Sequence, residues 1–189
     1  MYIDAFTQFP ELETERLLLR KHVPQDASYM AEYADDSEIA RFYDGWIPAG
    51  HELDFMKGWD EGYTHQAFIR WCIALKPDDC CIGGVYLFLP YGDDVAGRRM
   101  DIGFELSPTY RNQGYVSEAI RRVTQYGFES MGLSRVQAQI IPENKASIRA
   151  CEKAGFVYEG TLRNYCHYHT PPRLQTMVMM SCIPSDIGL

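Results

Sequence analysis

The densest chemistry in the sequence lies between Asp101 and Phe156. DIGFEL is followed by SPTY, by RNQGYV (Arg111 to Val116), and then by Val116, Ala119, Ile120, Val123, Gly127 and Met131 at the i, i+3, i+4 spacing of an amphipathic helix. A strand, a short glycine-containing turn and a helix N-terminus together make an anion site, because backbone N–H groups point outward there and the helix dipole favours negative charge. Gly114 lets a phosphate approach the backbone with no Cβ between them, and Arg111 can add a charge-assisted hydrogen bond. The same spacing also serves as an ordinary turn before a helix. It is not a dinucleotide fingerprint, since the glycines of G-x-G-x-x-G are missing, and no Gly-Lys-Ser/Thr follows to make a P-loop. About thirty residues on, ENKASIRACEKAGF (Glu143 to Phe156) follows a strand, with Asn144 as a good helix N-cap.

Other reactive side chains read mainly as structural. Six cysteines (Cys72, Cys80, Cys81, Cys151, Cys166 and Cys182) show no framework spacing. They are expected to be free and mostly buried thiols in a reducing cytoplasm. Cys151 falls at core helix spacing with Ile148 and Ala154, so it is expected to pack rather than to act as a nucleophile. Cys166, His167 and His169 form a C-H-x-H cluster in a segment read as loop; a metal site needs three or four ligands, so no metal is expected. The aromatic set Tyr43, Trp46, Trp59, Tyr63 and Trp71 reads chiefly as core.

The elements that must carry these residues follow from pattern. Leu17 to Leu19 read as a short strand, Asp26 to about Phe42 as a helix, Gly45 to Gly50 as loop and His51 to Tyr63 as a second helix. Phe68 to Leu75, Cys81 to Leu89 and Met100 to Leu106 form an antiparallel meander with a polar turn before the third strand. Then come a helix ended by Gly132, a strand Val136 to Ile141, a helix from Asn144 to Ala154, and strands Phe156 to Leu162 and Met177 to Ile183 joined by the polar segment NYCHYHTPPR. The order predicts a mixed sheet with helices packed on it, an α/β or α+β sandwich.

The chain has 189 residues, 18 basic and 26 acidic, for a net charge of −8. At about 150 residues per domain, one domain over 1–189 is expected. The acidic balance argues against direct nucleic-acid binding, which needs a basic face, and fits amine-bearing partners. The longest uncharged stretch, Cys80 to Gly92, is too short for a membrane helix of about 20 residues. The acidic start lacks the order of a signal peptide, so a cytoplasmic protein without membrane partners is expected.

Together the motifs at Arg111 to Val116 and Glu143 to Phe156 resemble the N-acetyltransferases of the GNAT superfamily, in the branch of the ribosomal-protein acetyltransferases RimJ and RimL. LETERLLLR (Leu12 to Arg20) is similar to the first strand of that branch, and EGTLRNY (Glu159 to Tyr165) to its closing strand. The resemblance implies a GNAT-type α/β (α+β) fold, a mixed, mostly antiparallel sheet flanked by helices and splayed between two parallel strands, here Asp101 to Leu106 and Val136 to Ile141. It also implies acetyl-coenzyme A as co-substrate. Its pyrophosphate would sit on Arg111, Asn112, Gln113, Gly114, Tyr115, Val116 and Ser117, with Val116 standing where the family pattern has a small residue. The pantetheine arm would pair with backbone near Phe104 and Leu106, and Asn144 matches the family asparagine that contacts the arm.

Acetyl transfer to an amine poses two proton problems. Alkyl amines, with unperturbed pKa values from about 8 to about 10.4, are mostly protonated at neutral pH, and only the neutral amine attacks. The leaving thiolate also gains from a nearby donor. Glu105, between Phe104 and Leu106, is the candidate base; alternation puts it on the face opposite Ile102 and Phe104, compatible with either the cleft or solvent. Many family members have a tyrosine seven residues after the asparagine, where this chain has Cys151. The branch instead has a serine three residues after it, matched by Ser147 as the candidate donor. Tyr43, Trp46 and Tyr165 are expected to touch the acceptor, a peptide N-terminus or a small-molecule amine.

The resulting expectation is direct acetyl transfer in a ternary complex; the alternative is a non-catalytic acyl-CoA-binding module of the same fold. A homodimer is compatible with the sequence, although no feature sets it. Arg111, Arg121, Arg122, Lys145 and Arg149 cluster near the two helix N-termini, whereas Asp35, Asp36, Glu38 and Asp44 fall near the acceptor side. The expected field is therefore positive over the cofactor mouth and negative over the amine entrance.

Overall fold

The computed structural model describes residues 3–34, 36–44, 47–88, 99–169 and 172–189. Its elements are β1 (Leu12–Glu13), β2 (Leu17–Arg20), α1 (Asp26–Ala34), α2 (Ser37–Arg41), α3 (Glu52–Thr64), β3 (Phe68–Leu75), β4 (Cys80–Phe88), β5 (Arg99–Leu106), α4 (Tyr115–Glu129), β6 (Arg135–Ile140), α5 (Lys145–Ala154), β7 (Val157–His169) and β8 (Pro172–Cys182). They build one eight-stranded sheet in the order β1-β2-β3-β4-β5-β6-β8-β7, antiparallel except where β5 meets β6. No helix among the described residues is long and apolar enough to cross a membrane.

Both faces of the central strands are buried. β3 is rich in aromatic and β-branched residues, and its six inner positions are all buried. On one face Ile69, Trp71, Ile73, Val85 and Leu87 pack with Ala119, Ile120 and Val123 of α4. On the other face Cys72, Ala74 and Cys81 pack with Met30 and Tyr33 of α1 and Met56 of α3. The cysteines are free, with Cys72, Cys81, Cys151 and Cys182 buried.

The parallel pair is short. β5 and β6 pair at Arg99–Arg135, Met100–Val136 and Asp101–Gln137, and beyond Asp101 they diverge. Buried Asp101 sits at the fork and accepts from Gln137 Nε2 (2.7 Å) and Gln139 Nε2 (2.6 Å). Burial lifts its carboxyl above the usual range against the pull of these amides. The splay leaves the far ends of β5 and β6 open toward each other, where an extended ligand can lie.

Three expectations from the sequence need correction. The single helix over Asp26 to Phe42 is two helices, because the Asp36 carboxylate accepts from Ile39 N (2.7 Å) and caps a new start. The segment NYCHYHTPPR is not a loop up to His169: β7 runs through it, pairing Cys166 with Gln175 and His167 with Leu174. A polar two-stranded arm needs no core to satisfy its backbone, so its composition imitates a loop. Cys166 therefore faces away from His167 and His169, whose rings lie 5.0 Å apart, and the C-H-x-H cluster is split between two faces. The short β1, pairing Leu12 with Leu19, has no sequence signal of its own. The turn expected before β5 lies largely at 89–98, outside the described residues.

Candidate active site

The turn after β5 leads into α4 through left-handed backbone at Asn112 (φ 62°) and Gly114 (φ 84°), with Gly114 as the N-cap. This aims successive N–H groups at the mouth of the splay. Arg16 braces the turn from below: Nη1 donates to Gln113 O (3.0 Å), Nε donates to Glu118 Oε2 (2.7 Å), and the guanidinium lies 4.4 Å from the centre of the Tyr115 ring. Burial raises the Glu118 carboxyl, but hydrogen bonds from Thr14 and Arg16 outweigh it and hold the group below its usual range. Opposite, Asn144 caps α5 by accepting from Ser147 N (3.1 Å).

Between these helix starts lies a cavity of about 470 Å³. Its lining includes Phe104, Glu105, Leu106, Arg111, Asn112, Gly114, Tyr115, Val116, Ser117, Asn144 and Ser147, so it gathers nearly all the residues singled out for the co-substrate. Gln113 is not among them; its carbonyl points back to Arg16. Arg149 and Lys153 of α5 add positive charge to the lining. Cys151 is fully buried behind it, and burial pushes its thiol up to about 12, which suits packing rather than nucleophilic attack.

Glu105 is 5% exposed. Alternation does place it opposite Ile102 and Phe104, but that face is covered by α1 and α3 rather than by water. Pairing across the sheet lines up Cys72, Gly84 and Glu105, and Arg70 lies two residues from Cys72 on the same face. The buried Arg70 guanidinium forms an ion pair with the Glu105 carboxylate. Gly84 leaves the pair its room, since a Cβ at that position would meet the ends of both side chains and push them aside. Arg70 also lies 3.9 Å from the centre of the Trp59 ring and 5.0 Å from that of Tyr86. Burial opposes its charge, yet Glu105 keeps its pKa above the ordinary arginine value. The Tyr43 hydroxyl donates to Phe104 O (2.9 Å) and to Glu105 Oε2 (3.3 Å). Burial raises the Tyr43 pKa well above its ordinary value, so the hydroxyl keeps its proton at neutral pH.

A second cavity of about 320 Å³ lies on this face, lined by Ile47, Phe55, Trp59, Phe68, Tyr86, Phe88 and Arg70. Tyr43 and Glu105 border both cavities and stand where they meet. Of the residues expected at the acceptor, Tyr43 is at this junction and Trp46 lies outside the described residues. Tyr165 lines neither cavity; it is an exposed residue of β7. Arg70, Tyr86 and Gly84 escaped the sequence reading, because nothing local marks an arginine inside an apolar strand as the partner of a glutamate 35 residues away.

The expected division of charge also changes. Arg111 Nη1 donates to Glu38 (3.0 Å), and Nη2 lies 3.5 Å from Asp36. These acids therefore stand at the larger cavity rather than over the smaller one. Arg122 instead donates to Glu13 O (3.2 Å), and Asp44 bonds His169 (2.8 Å).

The comparisons with known proteins agree with this architecture. Residues 16–157 match the model of the acetyltransferase (GNAT) domain. YoaA of Bacillus subtilis, described as an uncharacterized N-acetyltransferase, is 32% identical over 166 residues, which span 87% of this chain and 92% of that one. Mycobacterium smegmatis RimJ in complex with CoA-disulfide has the same fold, with a TM-score of 0.80 at 18% identity over 95% of this chain and 90% of that one. So does spermidine N-acetyltransferase from Vibrio cholerae in complex with CoA and spermine, at a TM-score of 0.73 and 19% identity over 92% and 98%. The chain belongs to the GNAT family and is an N-acetyltransferase.

Proposed function

We propose that the chain transfers the acetyl group of acetyl-CoA directly to a primary amine carried on an apolar or aromatic body. The observation that carries this reading is the meeting of the two cavities at Glu105 and Tyr43. In it, the larger cavity takes acetyl-CoA. Backbone N–H groups of the turn from Arg111 to Ser117, with Arg149 and Lys153, hold the pyrophosphate, and Arg111 exchanges its carboxylate partners for phosphate oxygens. The pantetheine arm lies along β5 near Phe104 and Leu106, beside Asn144, and its thioester ends at the junction.

The smaller cavity takes the acceptor. Its lining is aromatic and aliphatic apart from the paired Arg70 and Glu105, which suits one ammonium on an apolar group. A polyamine carries several charges, and the described lining offers one carboxylate. In the reaction, Glu105 takes a proton from the ammonium directly or through one water, and the neutral nitrogen attacks the thioester carbonyl. The C–N bond forms, the tetrahedral intermediate expels coenzyme A as the C–S bond breaks, the second nitrogen proton passes to the departing thiolate, and Glu105 returns its proton to solvent. Ser147, at the start of α5, donates a hydrogen bond to the departing sulfur. Tyr43 holds the junction as a neutral donor.

The test is thiol release from acetyl-CoA across a panel of aryl-alkyl amines, polyamines and N-terminal peptides. Aryl-alkyl amines or peptides beginning with an apolar residue are expected to be favoured, and Glu105→Gln should lower kcat by about 10²–10⁴-fold while leaving the KM for acetyl-CoA unchanged. Undiminished turnover in Glu105→Gln would remove that residue from the proton transfer.

A further inference from the structure

Behind the acceptor cavity, the β2–α1 connection, α1, β3 and β4 bring together His22, Asp26, Cys72 and Cys81. One donor atom of each lies within 4.8 Å of those of the other three. The Asp26, Cys72 and Cys81 residues are buried, and the His22 side chain is 5% exposed. Neither ring nitrogen of His22 has a hydrogen-bond partner among the described residues, although Nδ1 lies 3.8 Å from Asp26 Oδ2. A buried imidazole with two unused nitrogens, facing two thiols and a carboxylate, is a costly arrangement unless something is shared among them.

We propose that these four residues form a closed site for a thiophilic divalent cation of the zinc type. Two thiolates and an imidazole favour such an ion over magnesium or calcium, and Cys₂-His-Asp supplies the four ligands of a tetrahedral structural site. Zinc-to-ligand distances of about 2.0–2.3 Å require the donors to draw inward by about 1 Å. On binding, each thiol loses its proton, so two protons leave as two metal–sulfur bonds form.

The backbone is arranged for this set. Regular pairing of β3 with β4 from Ile73–Gly83 would put Cys81 opposite Leu75, on the other face of the sheet. A bulge at Ile82 instead puts it opposite Ala74, on the face of Cys72. Arg20 holds the Asp26 carboxylate through Nη1 (2.8 Å) and Nη2 (2.9 Å), fixing its orientation as an outer partner of a metal ligand does. Arg20 also pairs with Asp79 through Nε (2.7 Å), so the guanidinium and the ion's two charges stand against two thiolates and two carboxylates. His22 lies 4.8 Å from Trp59, ring to ring, and Trp59 faces Arg70 at 3.9 Å. The ion would therefore stiffen the wall that supports the Arg70–Glu105 pair, outside the acetyl-transfer chemistry itself.

The experiment produces the full chain in minimal medium supplemented with zinc or cobalt and purifies it with a thiol reductant. Bound metal is then counted, and the cobalt form's absorption recorded. About one ion per chain and a near-ultraviolet sulfur-to-cobalt charge-transfer band are expected. Occupancy should fall by about tenfold or more in Cys81→Ser and His22→Ala and persist in His167→Ala/His169→Ala. The wild-type spectrum decides the matter even if a ligand variant misfolds. A wild type without stoichiometric metal, a cobalt form without the sulfur band, a Cys72–Cys81 disulfide in its place, or metal lost only with the β7 histidines would overturn the proposal.

Discussion

At the scale of single residues, the active-site reading turns on how a glutamate can be buried and still serve a reaction. Glu105 is accommodated because Arg70 neutralises it and Gly84 leaves room for both. Burying a lone carboxylate would cost several kcal/mol, and removing one member of such a pair typically costs about 3–5 kcal/mol. Gly84→Ala should therefore force the pair apart. Its stability is expected to drop by about 1–3 kcal/mol in denaturant unfolding, with a loss of kcat that Gly84→Ser does not relieve. An unchanged kcat would show that the pair's geometry does not matter to turnover. The sequence showed Glu105 as one alternating residue of a strand and left its face open. Arg70 and Gly84 have meaning only once strand pairing sets them side by side, and no local pattern encodes that register. The four donors His22, Asp26, Cys72 and Cys81 are far apart in sequence and depend on a bulge, so they were equally hidden. The visible C-H-x-H cluster, by contrast, turned out to be divided between two faces of β7.

At the scale of elements, the readable parts were those with their own chemistry. The turn from Arg111 to Val116 and the Asn144 cap announce helix starts through glycine and asparagine, and α4 and α5 begin there. The β7–β8 arm was misread because exposed polar strands owe their order to backbone pairing rather than to burial. Its base is held to β6 by Arg135, whose Nη1 donates to Glu159 Oε1 (2.6 Å), while the Ser181 hydroxyl donates to the same oxygen (2.7 Å). The hydrogen bond from Arg135, then that from Ser181, lower the Glu159 carboxyl to about 2. A depressed carboxyl stabilises the fold above its unfolded value and loses that contribution as pH falls through the folded one. The Tm difference between wild type and Glu159→Gln should be full at pH 6, shrink below pH 4.5 and be lost only as pH falls through about 2. A difference that stays constant over that range would remove the pair from the acid response.

At the scale of the whole molecule, the net charge of −8 hinted at amine partners, and the fold distributes it less simply than the sequence order implied. Asp36 and Glu38 stand against Arg111 at the larger cavity, so a pyrophosphate bound there as proposed would have to displace them. Each exposed ion pair of this kind is worth about 0.2–1 kcal/mol. Glu38→Gln should accordingly lower the KM for acetyl-CoA by about 1.4- to 5-fold, an effect that fades in high salt. A raised KM would mean that Glu38 helps to position Arg111.

In the proposed reaction, co-substrate and amine occupy two adjoining cavities at once and react across Glu105. Initial rates measured with acetyl-CoA and a productive amine both varied test it most directly. Double-reciprocal lines that intersect are expected, since both ligands must be bound before acetyl transfer and the buried Cys151 thiol, pushed up to about 12, takes no part. Parallel lines, with acetyl retained on the protein in the absence of amine, would contradict the account.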